Sequence, residues 1–345
     1  NSDPLFIQKI VVPDKAKIAV IGDIHSSIHS LVRNLKKLKV KGFFDDNYIL
    51  TKDHYVIFLG DLVDRGPYSL ETLLLAIKLK VNNINNVFVL NGNHEDIDIY
   101  NSYGLKEESD NQLGTDAETH KRLEKLLWYL PSALFVKFNS DKKWIQYCHG
   151  AIHSSYESTG AKTNLSTVTL IDAKSFLNSK AECYLLPVDI EKAKFSGFKW
   201  SDFALQKEPI KESRRGKGIF KYNYDTVKNY NDANNLFGII SGHQDLFPFL
   251  TMLSDSTGAD KVLTNSSKIV NVNGTNYVPT TDAKTINKNR YGISYDEVGC
   301  LLYAIHPKGA KDIIAKLDVG KDFIACCTST GVISRFAKGG AYDTL

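Results

Sequence analysis

Five short polar clusters, each next to a glycine, carry the residue types in this sequence that could do chemistry. They are Gly22-Asp23-Ile24-His25, the run GDLVDRG from Gly60 to Gly66, Gly92-Asn93-His94-Glu95, His149-Gly150 and Gly242-His243. Glycine lets the backbone turn sharply and come close to an ion or a phosphate. Oxygen and imidazole donors are ligands that divalent first-row metals accept. The clusters therefore point to metal chemistry.

The donors suit two cations sharing one carboxylate. Three oxygen donors and three imidazoles are available: Asp23, His25, Asp61, Asn93, His149 and His243. An aspartate can bridge two metals about 3.5–4 Å apart, and such a pair lowers the pKa of a shared water and clamps phosphoryl oxygens for in-line attack. We predict two divalent metal ions, with Mn²⁺ favoured and Fe or Zn as alternatives.

The clusters begin where predicted strands end. Lys17–Ile21, Tyr55–Leu59 and Val87–Leu90 are short apolar runs typical of buried strands. Between them, apolar residues recur at helical spacing from Ile28 to Leu38 and over Leu70–Leu79. Alternating strands and helices predict βαβ units, and such sheets bind ligands beyond the carboxyl ends of their strands. We expect the polar loops to meet in one site.

The remaining pattern predicts further elements around this unit. We predict a loop or the lead-in to a helix over Glu107–Asp116 and a polar excursion with short strands over Thr251–Asn289. Further predicted elements are a helix over Ala117–Leu130 and strands over Phe135–Phe138, Trp144–Cys148, Phe237–Ile240 and Val298–Ile305.

The length of the chain allows at most two domains, and we expect one. The 345 residues are 43% hydrophobic, which is ample for a large core. We expect a domain over residues 1–310, with insertions near 154–195 and 251–289, and a C-terminal extension over 311–345 packed on it. A net charge of +4 is too mild to favour a nucleic-acid partner. No apolar run approaches the roughly 18–20 residues that cross a bilayer.

The five clusters resemble the motifs of the phosphoprotein phosphatase (PPP) family of the calcineurin-like metallophosphoesterases. The family patterns are GDxHG, GDxVDRG, GNHE, HGG and a late histidine, and this chain has GDIHS, GDLVDRG, GNHE, HGA and GHQ in that order. The resemblance runs from Lys17 to Gly242. It implies an α/β fold with a two-layer sandwich of mixed sheets flanked by helices, and an active site at the strand carboxyl ends. Ser26 and Ala151 depart from the family's glycines.

The resemblance also implies a division of roles among the metal ligands. Asp23 and His25 would hold the first metal, and Asp61 would bridge. Asn93, His149 and His243 would hold the second metal. This assignment extends the two-cation prediction made from the donor types.

The resemblance to the PPP family also implies which neighbouring residues transfer the proton and bind the phosphate. His94 would be the general acid that protonates the leaving alkoxide, with Asp64 orienting it as the other member of the catalytic pair. Arg65 would grip the phosphate, together with Asn93. Trp200-Ser201-Asp202 precedes Ser213-Arg214-Arg215-Gly216. This makes Arg215 the candidate second phosphate clamp, with Arg214 as its alternative.

We therefore predict a metal-dependent phosphatase acting on phosphoserine or phosphothreonine in proteins, with phosphotyrosine as a further option. The run GDLVDRGPYSLE also resembles symmetrical dinucleoside tetraphosphatases, which remain an alternative. An alternative of another class is a catalytically silent binding module. A regulatory or targeting partner could bind the insertions or the C-terminal tail.

The cysteine spacing, the first residues and the Lys and Asn content bear on the cellular setting. The five cysteines are irregularly spaced without a CxxC pair, which favours reduced thiols. The first residues lack the pattern of a signal peptide. We expect a soluble cytoplasmic protein. Abundant Lys and Asn suggest an AT-rich genome and a divergent bacterial or protist member. Bacterial phosphatase effectors delivered into a host cell resemble this type.

Overall fold

The core is built from two β-sheets and the helices around them. The computed structural model describes residues 6–156, 158–159, 162–185, 197–203 and 208–243, and five short strands beyond them. Its strands are β1 (Phe6–Val12), β2 (Lys17–Ile21), β3 (His54–Phe58), β4 (Val87–Val89), β5 (Ala133–Phe138), β6 (Trp144–Cys148), β7 (Ser154–Ser155), β8 (Ser158–Thr159), β9 (Lys162–Thr163), β10 (Thr169–Leu170), β11 (Cys183–Leu185), β12 (Asp202–Phe203), β13 (Ile210–Glu212), β14 (Phe220–Tyr222), β15 (Leu236–Ser241), β16 (Met252–Ser254), β17 (Asp260–Val262), β18 (Val270–Val272), β19 (Thr275–Tyr277) and β20 (Leu301–Tyr303). Its helices are α1 (Ile28–Val40), α2 (Ser69–Asn82), α3 (Leu105–Leu113), α4 (Ala117–Trp128), α5 (Lys174–Asn178), α6 (Gly197–Trp200) and α7 (Tyr224–Ala233), with 3₁₀ turns at Ile97–Ile99 and Leu165–Thr167.

The two sheets differ in size and direction. The small sheet has the order β2-β3-β4, and all its strands are parallel. The large sheet has the order β11-β1-β5-β6-β15-β20. It is mixed, because β1 pairs with β5 and β6 with β15 in parallel, whereas β5 and β6 are antiparallel. The predicted mixed α/β fold is confirmed.

Both faces of the large sheet are buried. In β5, Leu134, Val136 and Phe138 belong to a core cluster shared with the small sheet and with α1 and α2. Ala133 and Phe135 of the same strand belong to a second cluster, which includes residues of α7 and β14. Successive side chains of a strand point to opposite faces. A strand covered on both sides is therefore a near-continuous apolar run, as β5 is.

The segment predicted as a loop or helix lead-in, Glu107–Asp116, is largely part of a separate helix, α3, over Leu105–Leu113. Gly104 and Gly114, with φ of 123° and 88°, flank it. A polar residue of α3 caps another helix. The Glu108 carboxylate accepts hydrogen bonds from the first backbone N–H groups of α2, those of Ser69 and Leu70, both at 2.8 Å. Those N–H groups have no partner inside their own helix, and an anion is favourable at a helix N-terminus.

The later segments are described in part. β11 lies within the predicted insertion near 154–195 and pairs with β1 at the edge of the large sheet. Within Thr251–Asn289, β16 pairs with β17 and β18 with β19. β20 lies within the predicted strand Val298–Ile305 and pairs with β15. The predicted extension over 311–345 lies outside the described residues. Among the helices that are described, none is both long and apolar enough to span a bilayer.

Candidate active site

The polar clusters meet because the strands before them end at neighbouring edges. Asp23 follows β2, Asp61 follows β3 and Asn93 follows β4, and these three parallel strands are neighbours. His149 follows β6 and His243 follows β15, which are parallel neighbours in the large sheet. Carboxyl ends of adjacent parallel strands lie at one edge, where α/β sheets bind their ligands.

The backbone of these loops is strained. Among the described residues, nine non-glycine residues have positive φ, and six of them belong to the clusters. The six are His25, Ser26, Asp61, Asp64, Arg65 and His243. A left-handed conformation costs an L-residue roughly 1–2 kcal/mol. Such strain collects at functional sites, where the surrounding structure holds it in place.

Asp61 lies at the centre of the candidate ligands. Its Oδ2 atom is 3.1 Å from Nε2 of His149 and 3.6 Å from Nε2 of His25. Oδ1 of Asn93 is 3.0 Å from Nε2 of His149 and 2.8 Å from Nδ1 of His243. Oδ1 of Asp23 is 3.7 Å from Nδ1 of His149. The structure thus brings His25 and His149 to the Asp61 carboxylate, Asn93 to His149 and His243, and Asp23 to the other ring nitrogen of His149.

In His243 and His25, one ring nitrogen carries the hydrogen and the other points a lone pair at an oxygen atom, which is also an acceptor. Nε2 of His243 lies 2.9 Å from the carbonyl oxygen of Trp200, and Nδ1 of His25 lies 3.1 Å from that of Val63. A carbonyl only accepts, so these nitrogens carry the hydrogen and the opposite ring nitrogens carry lone pairs. Those lone pairs face oxygens of Asn93 and Asp61. Nε2 of His25 is buried and has no hydrogen-bond partner. These are donor atoms that divalent cations would take as ligands.

The spacing of the donor atoms fits cation coordination. Nitrogen and oxygen ligands lie about 2.0–2.2 Å from a first-row metal, which places two ligands of one ion about 3–3.5 Å apart. Two groups of donors have all their ligand atoms within 4.8 Å of one another: His25, Asp61 and His94, and Asp61, His149 and His243. Asp61 belongs to both groups. The residues therefore fit a pair of divalent ions.

The charge states also suit metal ligands. Burial lowers the pKa of His25 to about 3, so its ring is neutral at pH 7. Burial, and then the charges of Arg215 and His149, hold the pKa of His243 well below its usual value. Burial alone would raise the pKa of Asp61, but His149 and His94 keep it well below its usual range. Metals bind carboxylates and neutral imidazoles, and these are the forms that the site maintains.

His94 and Asp64 form a buried pair beside the donors. Nδ1 of His94 lies 2.8 Å from Oδ2 of Asp64, and Oδ1 of Asp64 accepts the backbone N–H of Leu105 at 2.8 Å. Asp64 therefore fixes the ring and its tautomer. Nε2 of His94 lies 3.0 Å from Nη2 of Arg65. A guanidinium group only donates, so Nε2 accepts a hydrogen bond from Arg65 and carries no proton in this structure. It is the ring nitrogen that would exchange a proton with a bound molecule once its contact with Arg65 is broken.

Of the two candidate phosphate clamps after Trp200, Arg215 contacts the site. Its Nε donates to Oδ2 of Asp202 at 3.3 Å, and its Nη2 donates to the backbone oxygen of His243 at 3.5 Å. Arg65 is exposed and lies beside His94. Two guanidinium groups therefore border the donor cluster, and guanidinium matches phosphate oxygens in a bidentate way.

The sequence did not assign a role to Glu95, which organises the turn around Asp61. Its buried carboxylate accepts four backbone N–H groups: those of Asp61 and Gly92 at 2.8 Å, Leu62 at 2.7 Å and Val63 at 3.3 Å. Burial, and then the charge of Asp61, raise the pKa of Glu95 to about 7. The only local signal was its place in GNHE, since backbone donors from a distant turn leave no trace in a sequence.

Asp96 joins the loop of Asn93 and His94 to helix α6. Its Oδ2 atom lies 2.9 Å from Nζ of Lys199 and 2.9 Å from Nε1 of Trp200, and all three residues are buried. Burial alone would raise the pKa of Asp96, but Lys199 and Trp200 hold it below its usual value. The carbonyl of Trp200 in turn orients His243. No sequence motif pairs Asp96 with Lys199.

Gly92 allows Asp61 to approach the β4 loop. A Cβ at Gly92 would lie 2.2 Å from Oδ1 and 2.3 Å from the backbone nitrogen of Asp61. We expect Gly92→Ala to displace Asp61, to destabilise the fold by about 1–3 kcal/mol and to lower the bound metal content. Urea unfolding and metal analysis measure both effects. Gly114→Ala is the control for backbone strain without a clash: its φ is 88° and a Cβ there meets nothing within 4 Å, so it should destabilise the fold but keep the metal content. Full metal content in Gly92→Ala would contradict the role given to this approach.

Comparison with known proteins places the chain in a family. Residues 16–246 match the calcineurin-like phosphoesterase family, and the chain belongs to it, as its motifs predicted. The chain is similar to the serine/threonine-protein phosphatase PP2A-like PPG1 of Candida albicans, with 29% identity over 235 residues, covering 68% of this chain and 48% of the relative. It is also similar to the serine/threonine-protein phosphatase BSL2 of Arabidopsis thaliana, with 28% identity over 235 residues, covering 67% of this chain and 20% of the relative. The chain thus spans about half the length of the first relative and about a fifth of the length of the second.

A similar solved structure carries a related name. It is a protein serine/threonine phosphatase from Saccharomyces cerevisiae with similarity to human phosphatase PP5. The identity is 24% and the TM-score is 0.47, with 68% of this chain and 63% of that chain covered.

Proposed function

We propose that this protein is a metal-dependent phosphoprotein phosphatase that hydrolyses phosphoserine and phosphothreonine monoesters. The observation that carries the proposal is that two groups of metal-type donors share the carboxylate of Asp61, next to the His94–Asp64 pair. The names of the two relatives support the choice of phosphoprotein as substrate. Phosphotyrosine is a further candidate substrate for the same site.

The donors would hold two divalent cations on either side of Asp61. Asp23 and His25 belong to the first position, and Asn93, His149 and His243 to the second. When bound, such a pair supplies an activated water and positive charge for the phosphoryl oxygens. Imidazole and carboxylate ligands suit Mn²⁺, Fe and Zn²⁺, and we propose Mn²⁺.

The chain's own residues would bind the phosphate and move the proton. Arg65 and Arg215 border the donors from two sides and would hold the non-bridging oxygens of the substrate phosphate. Nε2 of His94 would give its proton to the serine or threonine alkoxide as the ester bond breaks. An alkoxide is a poor leaving group, and a positioned acid contributes roughly 10²–10⁴-fold to such a step. Asp64 would stabilise the imidazolium that gives the proton.

A phosphopeptide panel tests the proposal. We expect release of phosphate from phosphoserine and phosphothreonine peptides with Mn²⁺, weaker release with Mg²⁺, and none with a chelator. A comparison with Zn²⁺ ranks the metals. Wild-type protein that is folded and loaded with Mn²⁺, yet cleaves none of the peptides, would rule the proposal out.

The same assay decides between the alternatives. The run GDLVDRGPYSLE is the observation that favours a dinucleoside tetraphosphatase, and diadenosine tetraphosphate assayed beside the peptides gives the ratio of kcat/KM values. Metal analysis that found no bound ion would instead favour a silent binding module. A regulatory partner, a cytoplasmic location and delivery into a host cell stay predictions.

A further inference from the structure

Ser26 occupies a position where the resembling motif has glycine, and the structure shows what its hydroxyl does. The residue is buried, with 1% of its surface exposed, and its φ is 62°. Glycine adopts this left-handed conformation freely, whereas serine is strained in it. Ser26 also packs tightly, since a Cβ at Gly66 would lie 3.0 Å from its own Cβ. A strained, buried serine in place of glycine calls for a compensating interaction.

The compensation is a closed ring of hydrogen bonds through Ser26, Ser69 and the backbone of Asp64. Oγ of Ser26 donates to the carbonyl oxygen of Asp64 at 3.0 Å. The backbone N–H of Asp64 donates to Oγ of Ser69 at 3.1 Å. The two serine oxygens lie 2.7 Å apart. Because the proton of Ser26 is already used, Ser69 is the donor in that contact. Every hydroxyl in the ring has one defined direction.

This ring acts on a residue whose own backbone is strained. Asp64 has a φ of 68°, and both its N–H and its carbonyl group are held by the two serines. Its side chain fixes the ring of His94 at 2.8 Å. We propose that Ser26 and Ser69 are positioning residues that set the orientation of the general acid through the backbone of Asp64. This inference rests on the proposed phosphatase function.

The dependence on the leaving group tests the inference. A phosphoserine peptide needs a proton on its alkoxide, whereas p-nitrophenyl phosphate releases a weakly basic phenolate that needs little help. We expect Ser26→Ala to lower kcat about tenfold for the phosphoserine peptide, a part of the roughly 10²–10⁴-fold that a positioned acid supplies. We expect less than about a twofold change for p-nitrophenyl phosphate, and an unchanged KM for both, since both arginine side chains are kept.

Matched variants separate the hydroxyl from backbone strain. Ser26→Gly relieves the left-handed strain and also lacks the hydroxyl, so it should slow the peptide reaction as much as Ser26→Ala does. Ser69→Ala should have the same effect, and Ser26→Ala/Ser69→Ala should be no slower than either single variant. Ser27→Ala is the control, because the Ser27 side chain makes no capping hydrogen bond to α1.

Three results would overturn the inference. One is an equal loss on both substrates, which indicates general damage to the site. Another is full peptide activity in Ser26→Gly, which shows that the hydroxyl is dispensable. The third is additive losses in Ser26→Ala/Ser69→Ala, which show that the serines act separately. Failure of the proposed function is a different outcome, since wild type would then release no phosphate from the phosphoserine peptide.

Discussion

Replacing His94 with asparagine is expected to lower kcat for a phosphoserine peptide by about 10²–10⁴-fold, because the leaving alkoxide loses its proton donor. Nε2 of His94 is the exchangeable position, and its other nitrogen is fixed by Asp64 at 2.8 Å. The loss on p-nitrophenyl phosphate should be much smaller. Steady-state kinetics on the two esters, at saturating Mn²⁺, measures the difference.

A competing role for His94 comes from its position among the donors. Its ligand atom lies within 4.8 Å of those of His25 and Asp61, so the ring could instead hold the first cation. Metal analysis of His94→Asn after dialysis distinguishes the roles. An acid leaves two ions bound, whereas loss of a ligand removes one and lowers activity on both esters alike. His29→Asn, a change at an exposed ring on α1, is the control and should match wild type.

The sequence predicted the elements that carry the site and its donors, because both depend on local patterns. The parallel strands β2, β3 and β4 are short apolar runs, and each is followed by glycine and a ligand-type residue. Spacing cannot show that Asp61 ends 3.1 Å from Nε2 of His149, but the edges of adjacent parallel strands make the meeting expected.

What the sequence did not predict depends on partners far away in the chain. β1 was missed because its pairing with β5 and β11 involves residues beyond position 130. α3 was missed because its polar surface is used to cap α2 through Glu108. Lys199 looks like an ordinary solvated lysine, and its burial makes sense only once Asp96, over a hundred positions earlier, faces it. Helices and strands repeat their apolar residues at a fixed spacing, but a polar pair between distant residues has no such spacing by which it could be predicted.

The buried pair of Asp96 and Lys199 gives the largest expected effect on stability. Its oxygen and nitrogen lie 2.9 Å apart, and each side chain is less than 5% exposed. We expect Lys199→Met to lower the free energy of unfolding by about 3–5 kcal/mol, because it leaves a buried carboxylate without its cation. Urea unfolding in the presence of a chelator measures the change apart from any contribution of bound metal.

A double-mutant cycle separates the pair from the packing of its side chains. Asp96→Asn/Lys199→Met should be more stable than the sum of the single losses predicts, because no unpaired charge then stays buried.

Lys106→Met is the matched control. Nζ of Lys106 pairs with Asp110 at 2.6 Å, but the two side chains are 41% and 26% exposed, so the loss in the free energy of unfolding should stay within about 1 kcal/mol. Similar losses in Lys199→Met and Lys106→Met would show that the buried pair does not hold the loop of His94 against helix α6. A large loss confined to Lys199→Met would show that it does, and the cycle would then give its coupling energy.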